Sequence, residues 1–296
     1  MTNTVVAPVV AGVDGSADAR LAIDLAAWEA DRRHAPLRLV YGFRQVYAYG
    51  VVGTAYDLDR QVRDLDDMLI TESGRVAQRY PDLIVHTEVV GGVPAGVLVE
   101  ESATAQLVVV GSRGLGGFAS LLLGSVSAQV AAHATSPVVV VRPPAARGTR
   151  ELPGNGPVVV GVDGSTGSAA AVEFAFEEAA ARGTGLIAVY VWGVMPYDAG
   201  DDDPRVEQDG PDAALADALA AWQDKYPEVP VSHRAVHSLV PVHTILDQSA
   251  DAGLIVVGRR GRGGFAGLSL GSVGDGLVRH AKAPVAVVHT HHTTTS

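Results

Sequence analysis

The feature that most constrains this chain is an internal repeat. The stretch PVVAGVDGS at 8–16 returns as PVVVGVDGS at 157–165, and LVVVGSRGLGGFASLLLGSVS at 107–127 returns as LIVVGRRGRGGFAGLSLGSVG at 254–274. A third pair, SPVVVVRP at 136–143 and APVAVVHT at 283–290, follows in the same order. A repeat this long indicates two domains. We assign domain 1 to residues 1–142, a Pro-, Gly- and Arg-containing linker to 143–156, and domain 2 to 157–296 with its polar C-terminal tail.

Each half alternates short apolar runs with helical patterns. The runs are rich in Val and Ile and apolar on both faces, which is typical of buried parallel strands. Strands are predicted at 9–13, 37–43, 84–90, 107–110 and 138–141, and in the second half at 158–162, 186–192, 229–236, 254–257 and 285–288. Helices are predicted between them, at 17–33, 58–79, 94–103 and 125–134 in the first half. This alternation predicts two tandem, doubly wound α/β domains, because parallel strands need right-handed helical crossovers.

Composition excludes several classes of protein. The chain is 47% hydrophobic and 19% charged, as packed globular proteins are. Its net charge of −11 disfavours nucleic acid as a partner, and its lack of cysteine excludes disulfides and thiol chemistry. We recognise no signal peptide, and no apolar run approaches the length of about 20 residues that spans a bilayer. We therefore expect a cytoplasmic protein without a membrane partner.

Two glycine-rich segments in each half point to a phosphate site. In open α/β sheets, ligands bind beyond the carboxyl ends of the strands. GVDGS follows the first strand and the glycine loop follows the fourth, so the two converge if those strands are neighbours. Glycines let the loop approach a ligand, the following helix offers unpaired amides, and arginine adds a cation. The residues in question are Gly111, Arg113, Gly114, Gly116, Gly117, Gly124, Ser125 and Ser127, and then Gly258, Arg259, Gly261, Arg262, Gly263, Gly264, Gly271 and Ser272.

Simpler interpretations stay open at this point. A glycine loop can merely turn a strand into a helix, although its repetition argues against that alone. Asp14 and Asp163 either recognise a sugar, a base or a metal-bound water, or they form an Asx turn or helix cap. The loop is not a Walker A motif, and it does not follow the first strand as the dinucleotide fingerprint does.

The spacings Gly111-x2-Gly114-x9-Gly124-Ser125 and Gly258-x2-Gly261-x9-Gly271-Ser272 resemble the G-2x-G-9x-G-[S/T] ATP-binding motif of universal stress proteins. The chain looks like a tandem member of the actinobacterial kind. The resemblance implies a five-stranded sheet of order 3-2-1-4-5 in each half, with ATP at the strand carboxyl ends. The residues it implies in domain 1 are Gly12, Val13 and Asp14 at the adenine and ribose, Gly42 at the base, Val110, Gly111, Arg113 and Gly114 at the ribose and phosphates, and Gly124, Ser125, Val126 and Ser127 at the phosphates.

Domain 2 carries a matching set with two departures. Gly274 lacks the hydroxyl of Ser127, and Arg259 replaces Ser112, so the phosphate geometry of the second site is less closely matched. The implied residues are Gly161, Val162, Asp163, Val191, Val257, Gly258, Arg260, Gly261, Gly271, Ser272, Val273 and Gly274.

The functional prediction is an ATP-binding universal stress protein, a regulator of stress response or growth without fast turnover. We expect about two ATP per chain, with or without Mg²⁺, no direct metal ligands and no catalytic residues. The phosphate loops offer serine, arginine and backbone, but no carboxylate or histidine that would act as a base. The alternatives are a slow ATPase or nucleotidyl transferase, and an interaction protein with empty sites. The resemblance further implies a pseudo-twofold pair of domains joined through their last strands, and it allows a homodimer.

Overall fold

The computed structural model describes residues 6–43, 55–115, 122–143, 156–193, 210–262 and 270–290, with backbone alone for 55–59. The chain divides into two compact units, Met1–Pro143 and Pro144–Ser296. Most of the predicted linker (144–155) and the end of the polar tail (291–296) lie outside the described residues. Each unit is described separately.

Unit 1 alternates strands and helices as the sequence predicts. Its strands are β1 (Val9–Gly12), β2 (Leu37–Phe43), β3 (Val85–Gly91), β4 (Leu107–Gly111) and β5 (Val138–Val141). Its helices are α1 (Ala17–Arg32), α2 (Ala55–Arg79), α3 (Pro94–Glu101) and α4 (Ser125–His133). The predicted ends agree with these within three residues, and those of β2 and β5 agree completely.

The strands of unit 1 form a parallel sheet of order β3-β2-β1-β4-β5, the order that the family resemblance implies. β1 lies at its centre, with Val9 opposite Leu37 of β2 and Leu107 of β4. Because β1 to β3 advance in one direction and β4 to β5 in the other, right-handed crossovers place α1 and α2 on one face and α3 and α4 on the other. The order reverses between β1 and β4, where doubly wound sheets bind ligands.

Unit 2 repeats this arrangement. Its strands are β6 (Val158–Val162), β7 (Leu186–Trp192), β8 (Val231–His237), β9 (Leu254–Gly258) and β10 (Val285–Val288). Its helices are α5 (Thr166–Arg182), α6 (Pro211–Lys225), α7 (Pro241–Gln248) and α8 (Ser272–His280). The parallel order is β8-β7-β6-β9-β10, so β6 and β9 adjoin as β1 and β4 do.

Local sequence explains how the helices begin and where they bury their apolar faces. Ser16 caps α1 by accepting a hydrogen bond from Ala19 N at 3.1 Å, and Ser165 caps α5 in the same way. The buried face of α1 is small and aliphatic, with Ala22, Ile23 and Leu25 at most 1% exposed. Small residues on this face let the helix lie close to β1 and β4.

The outer strands correct one expectation. The prediction that all strands are apolar on both faces is wrong for β3 and β8, whose three residues after the first are exposed in each strand. Both strands lie at the edge of their sheet, where polar residues discourage pairing with another chain. β5, which consists of four valines, and its counterpart β10 fit the expectation, since they are buried throughout.

Candidate functional site

The two glycine-rich segments of each unit meet at the carboxyl edge of the sheet. β1 pairs with β4 and β6 pairs with β9, so the segments that follow these strands are neighbours, as predicted. The contact is direct, because Asp14, just beyond β1, binds the loop that follows β4. Its Oδ2 accepts a hydrogen bond from Leu115 N at 3.0 Å, while its Oδ1 accepts one from Ser16 N at 2.9 Å.

The second unit contains the same carboxylate clamp. Asp163 Oδ1 accepts from Ser165 N at 2.9 Å, and its Oδ2 accepts from Arg262 N at 3.1 Å. Each aspartate thus forms an Asx turn and also closes the glycine loop. A carboxylate has lone pairs beyond these bonds, so both residues can still accept a hydroxyl hydrogen from a ligand.

The clamp explains the second glycine of each motif. A Cβ at Gly114 would overlap Asp14 Oδ2, and a Cβ at Gly261 would overlap Asp163 Oδ2. Only a residue without a side chain lets the loop backbone come close enough to bind the carboxylate. The contact with the aspartate alone therefore explains why glycine is needed at this position, without any ligand.

The third glycine places a helix N-terminus at the same edge. Gly124 N donates to Ser112 O at 2.8 Å, and Gly271 N donates to Arg259 O at 2.9 Å. Each glycine is the N-cap of its helix, α4 or α8, and offers no side chain to the first amides. Amides in the first helical turn lack acceptors within the helix and favour an anion. Ser125 and Ser272, at the first helical positions, are exposed beside them.

Ser127 is bound to the end of β4. Its hydroxyl donates to Gly111 O at 2.6 Å and its side chain is buried, so its single hydrogen is used inside the fold. In this conformation the hydroxyl has no hydrogen left to donate, so the role of Ser127 at a phosphate stays a prediction. Gly274 stands at the position of Ser127 in domain 2. What it lacks in this conformation is therefore a hydroxyl that would bind the end of β9, not one that would bind a ligand.

Sequence reasoning missed Asp18, a buried carboxylate in the first turn of α1. Its Oδ2 accepts from Ser112 Oγ at 2.8 Å and from Arg113 N at 3.1 Å, and it lies 3.6 Å from Arg113 Nε. Arg113 is thus paired with a carboxylate of its own unit. The phosphate loop of domain 1 contains no carboxylate of its own, but Asp14 and Asp18 bind it from outside.

Unit 2 has no carboxylate at the position of Asp18. Gly167 stands there, and a Cβ on it would lie 2.5 Å from Arg260 O, so loop backbone occupies this space. Arg260 corresponds to Arg113, and its Nε is buried without a hydrogen-bond partner within the described ranges. Burial lowers the pKa of Arg259, and the neighbouring charge of Arg260 lowers it further. With arginines at 259, 260 and 262, this loop has more cationic residues than its counterpart, which has Arg113 alone at the matching positions.

Several predicted residues have clear packing roles. A Cβ at Gly12 would lie 2.8 Å from Leu98 Cδ1, and one at Gly42 would lie 2.6 Å from Pro94 Cα, so both glycines make room for α3. Val13, Val110, Val162 and Val257 are buried, so their side chains belong to the core of each unit. A Cβ at Gly161 would lie 3.4 Å from Ile245 Cδ1 of α7, a less crowded position than that of Gly12. The predicted site residues that are half-buried are Gly111, Val126, Val191, Gly258 and Val273.

The remaining observations limit other kinds of site. Gly116, Gly117, Gly263 and Gly264 lie outside the described residues. Where the structure is described, no three His, Asp or Glu side chains are grouped so that they could hold a metal ion. No helix in those ranges combines the length and the apolar character that crossing a membrane requires.

Comparisons with known proteins agree with this geometry. The Universal stress protein family matches the chain twice, at residues 7–142 and 154–289. A universal stress protein of Mycolicibacterium smegmatis is 37% identical over 292 residues, covering 95% of this chain and 96% of that protein. One from Mycobacterium bovis is 38% identical over 291 residues, covering 94% and 96%. The crystal structure of a universal stress protein from Archaeoglobus fulgidus has a TM-score of 0.70 at 18% identity and covers 97% of both chains. The chain therefore belongs to the universal stress protein family, as a tandem member with one family domain in each half.

Proposed function

We propose that each half binds one ATP and that the protein is a nucleotide-dependent regulator of stress response or growth. The observation that carries the proposal is the closed glycine loop at the reversal point of each sheet. There an aspartate holds the loop, a helix N-terminus offers free amides, and an arginine lies beside them. Backbone amides and a guanidinium are the groups that proteins use to bind phosphate.

The residues fit a nucleotide phosphate in both halves. The helix amides at Ser125 and Ser272 are accessible, because their N-cap glycines have no side chain that competes for them. The orphaned Nε of Arg260 indicates that the second loop gains a hydrogen bond when an anion binds. If Mg²⁺ accompanies the ATP, we expect phosphate and water to supply its ligands, since no group of protein ligands occurs in the described part of the chain.

We propose binding without fast turnover. An ATPase would need a base that takes up a proton from the attacking water, and a proton on either carboxylate at the first loop would weaken the hydrogen bonds that this carboxylate accepts. Asp14 holds two backbone amides, and Asp18 holds a hydroxyl, an amide and a guanidinium. Removing either from these bonds would open the loop that holds the phosphate. Steady-state phosphate release faster than about 1 per second, within the ordinary range of enzymes, would favour the ATPase instead.

Calorimetric titration with ATP tests the binding. We expect about two ATP per chain for the wild type, and strongly reduced affinity when Ser125→Asp and Ser272→Asp are combined, because the new carboxylates repel the phosphates. Aspartate in the first turn favours the helix, so the loss will not reflect unfolding. Ser125→Asn with Ser272→Asn is the matched control, similar in size but uncharged, and should retain most binding. Unchanged ATP affinity in the aspartate double variant refutes the assignment.

Mass spectrometry of the nucleotide that heat-denatured, freshly purified protein releases provides an independent measurement. Recovery of adenine nucleotide near the calorimetric stoichiometry supports occupied sites. Its complete absence, together with silent titrations, supports the interaction protein whose sites are empty.

A further inference from the structure

The two loops differ at a pair of contacting positions. In domain 1, Asp18 on α1 binds Ser112, the first residue after β4. In domain 2, the corresponding residues are Gly167 and Arg259, so both partners of this contact have been replaced. Where domain 1 has a carboxylate and a hydroxyl, domain 2 has a glycine and a cation. The substitution is one of charge, because the surrounding loop closure by Asp14 or Asp163 is the same.

This difference between the two loops changes the charge that faces a bound phosphate. Arg113 lies 3.6 Å from the buried Asp18 carboxylate, which offsets its positive charge locally. Within the described residues no carboxylate pairs with Arg260 as Asp18 pairs with Arg113. The two flanking loop residues are also arginines, Arg259 and Arg262. Burial lowers the pKa of Arg259, and so does the charge of Arg260; an anion between these side chains offsets the repulsion between the two charges.

We propose that positions 18 and 167 set the charge selectivity of the two sites, so that domain 2 selects nucleotides by their polyphosphate and domain 1 accepts nucleoside monophosphates nearly as well. The inference rests on the proposed nucleotide binding. Both sites offer helix amides to one phosphate. Only in the second does the central arginine, Arg260, have a buried Nε without a hydrogen-bond partner in the described residues, so its charge can meet the additional negative charge of a triphosphate. Asp18 acts through Arg113 and is a specificity-determining residue.

Single-site variants measure the selectivity of each loop. Ser272→Asp leaves the first site and Ser125→Asp leaves the second. Each is titrated with ATP and with AMP in magnesium-free buffer containing EDTA, so that the phosphates carry their full charge. A few partly exposed charge pairs together produce about a tenfold difference. We therefore expect the preference for ATP over AMP to be about tenfold larger in the second site than in the first.

Two further substitutions assign the difference to named residues. Asp18→Asn, nearly identical in shape, should raise the ATP preference of the first site about three- to tenfold. Asp82→Asn removes one negative charge from an exposed position before β3, at the opposite edge of the sheet, and should leave the preference unchanged. Arg260→Gln should lower the ATP preference of the second site, whereas Lys282→Gln, exposed before β10, should not.

The outcomes are separable from those of the proposed function. If neither single-site variant binds a nucleotide, both proposals fail. If both bind ATP but show equal ATP-to-AMP ratios, nucleotide binding stands and charge selectivity is refuted. If the ratios differ but Arg260→Gln and Asp18→Asn leave them unchanged, these residues do not set the selectivity. The comparison of the two sites does not depend on Asp18→Asn, so the inference can still be refuted should that variant fail to fold.

Discussion

Substitution of Gly114 by alanine is a direct test of the carboxylate clamp. The new methyl group would overlap Asp14 Oδ2, so the carboxylate must move and release Leu115 N. A hydrogen bond to a charged group contributes about 1.5–3 kcal/mol. Against this loss, alanine restricts the unfolded chain and contributes about 0.4–1 kcal/mol, since the φ angle of Gly114 is outside the left-handed region. We therefore expect Gly114→Ala to lower the free energy of unfolding by about 1–2 kcal/mol.

The sign of this effect should reverse when Asp14 is absent. In an Asp14→Ala background the methyl group meets no carboxylate, and only the gain of about 0.4–1 kcal/mol remains. A double-mutant cycle in urea, followed by circular dichroism of the full chain, measures both values. Gly74→Ala is the matched control, because a Cβ there has nothing within 4 Å. In the middle of helix α2 it should stabilise by about 0.5–1 kcal/mol in either background.

Two outcomes would refute the clamp. One is a Gly114→Ala cost that persists in the Asp14→Ala background, which would assign the glycine to backbone conformation or to another neighbour. The other is a Leu115 amide whose hydrogen exchange is equally protected with and without Asp14. The same cycle with Asp163 and Gly261 repeats the test in unit 2, where the geometry is equivalent.

Three further predictions follow from charge and from sheet edges. Glu178→Ala should lower the free energy of unfolding in urea by about 3–5 kcal/mol, because it leaves buried Arg182 without this carboxylate. Asp275→Ala, at an exposed pair of the same spacing, should lower it by less than about 1 kcal/mol, and similar values for the two variants would contradict the reasoning. ATP affinity measured at low and high ionic strength should fall more steeply for the second site than for the first, and equal slopes would show that its arginines point away from the nucleotide. We propose that the two halves pair through their last strands, so an isolated residue 1–142 fragment should associate in sedimentation experiments; a soluble monomer of unchanged stability would exclude the pairing.

The fold was predictable because its determinants are local and repeated. Valine-rich runs, serine caps and glycine loops indicate strands and helix starts without tertiary information, and their order then limits the sheet. The exceptions are β3 and β8, where a short apolar run did not reveal that the three residues after the first are exposed. Whether a strand residue is buried depends on what covers it in the folded domain, and a local pattern does not contain that information.

The site was predictable only in part, because its key contact joins distant segments. The carboxyl end of β1 and the loop after β4 were correctly brought together from the strand order. Asp18, by contrast, looks in the sequence like an acidic residue that favours a helix N-terminus. Its bond to Ser112 spans 94 positions of the chain, and no local pattern predicts it. The simultaneous change to Gly167 and Arg259 was the available signal.

Comparison of the two halves distinguishes the residues that close the loop from those that determine which ligand it binds. The residues that close the loop are the same in both: the aspartate after the first strand, the glycine beneath it and the glycine that caps the next helix. The residues that differ, Asp18 and Ser112 against Gly167 and Arg259, alter charge beside that closed loop without opening it. Because the fold alone already requires the second glycine, the spacing of the motif indicates that the backbone after the fourth strand is held against the aspartate, close to a helix N-terminus. What such a loop binds is decided by the residues between the glycines and by the first turn of the preceding helix.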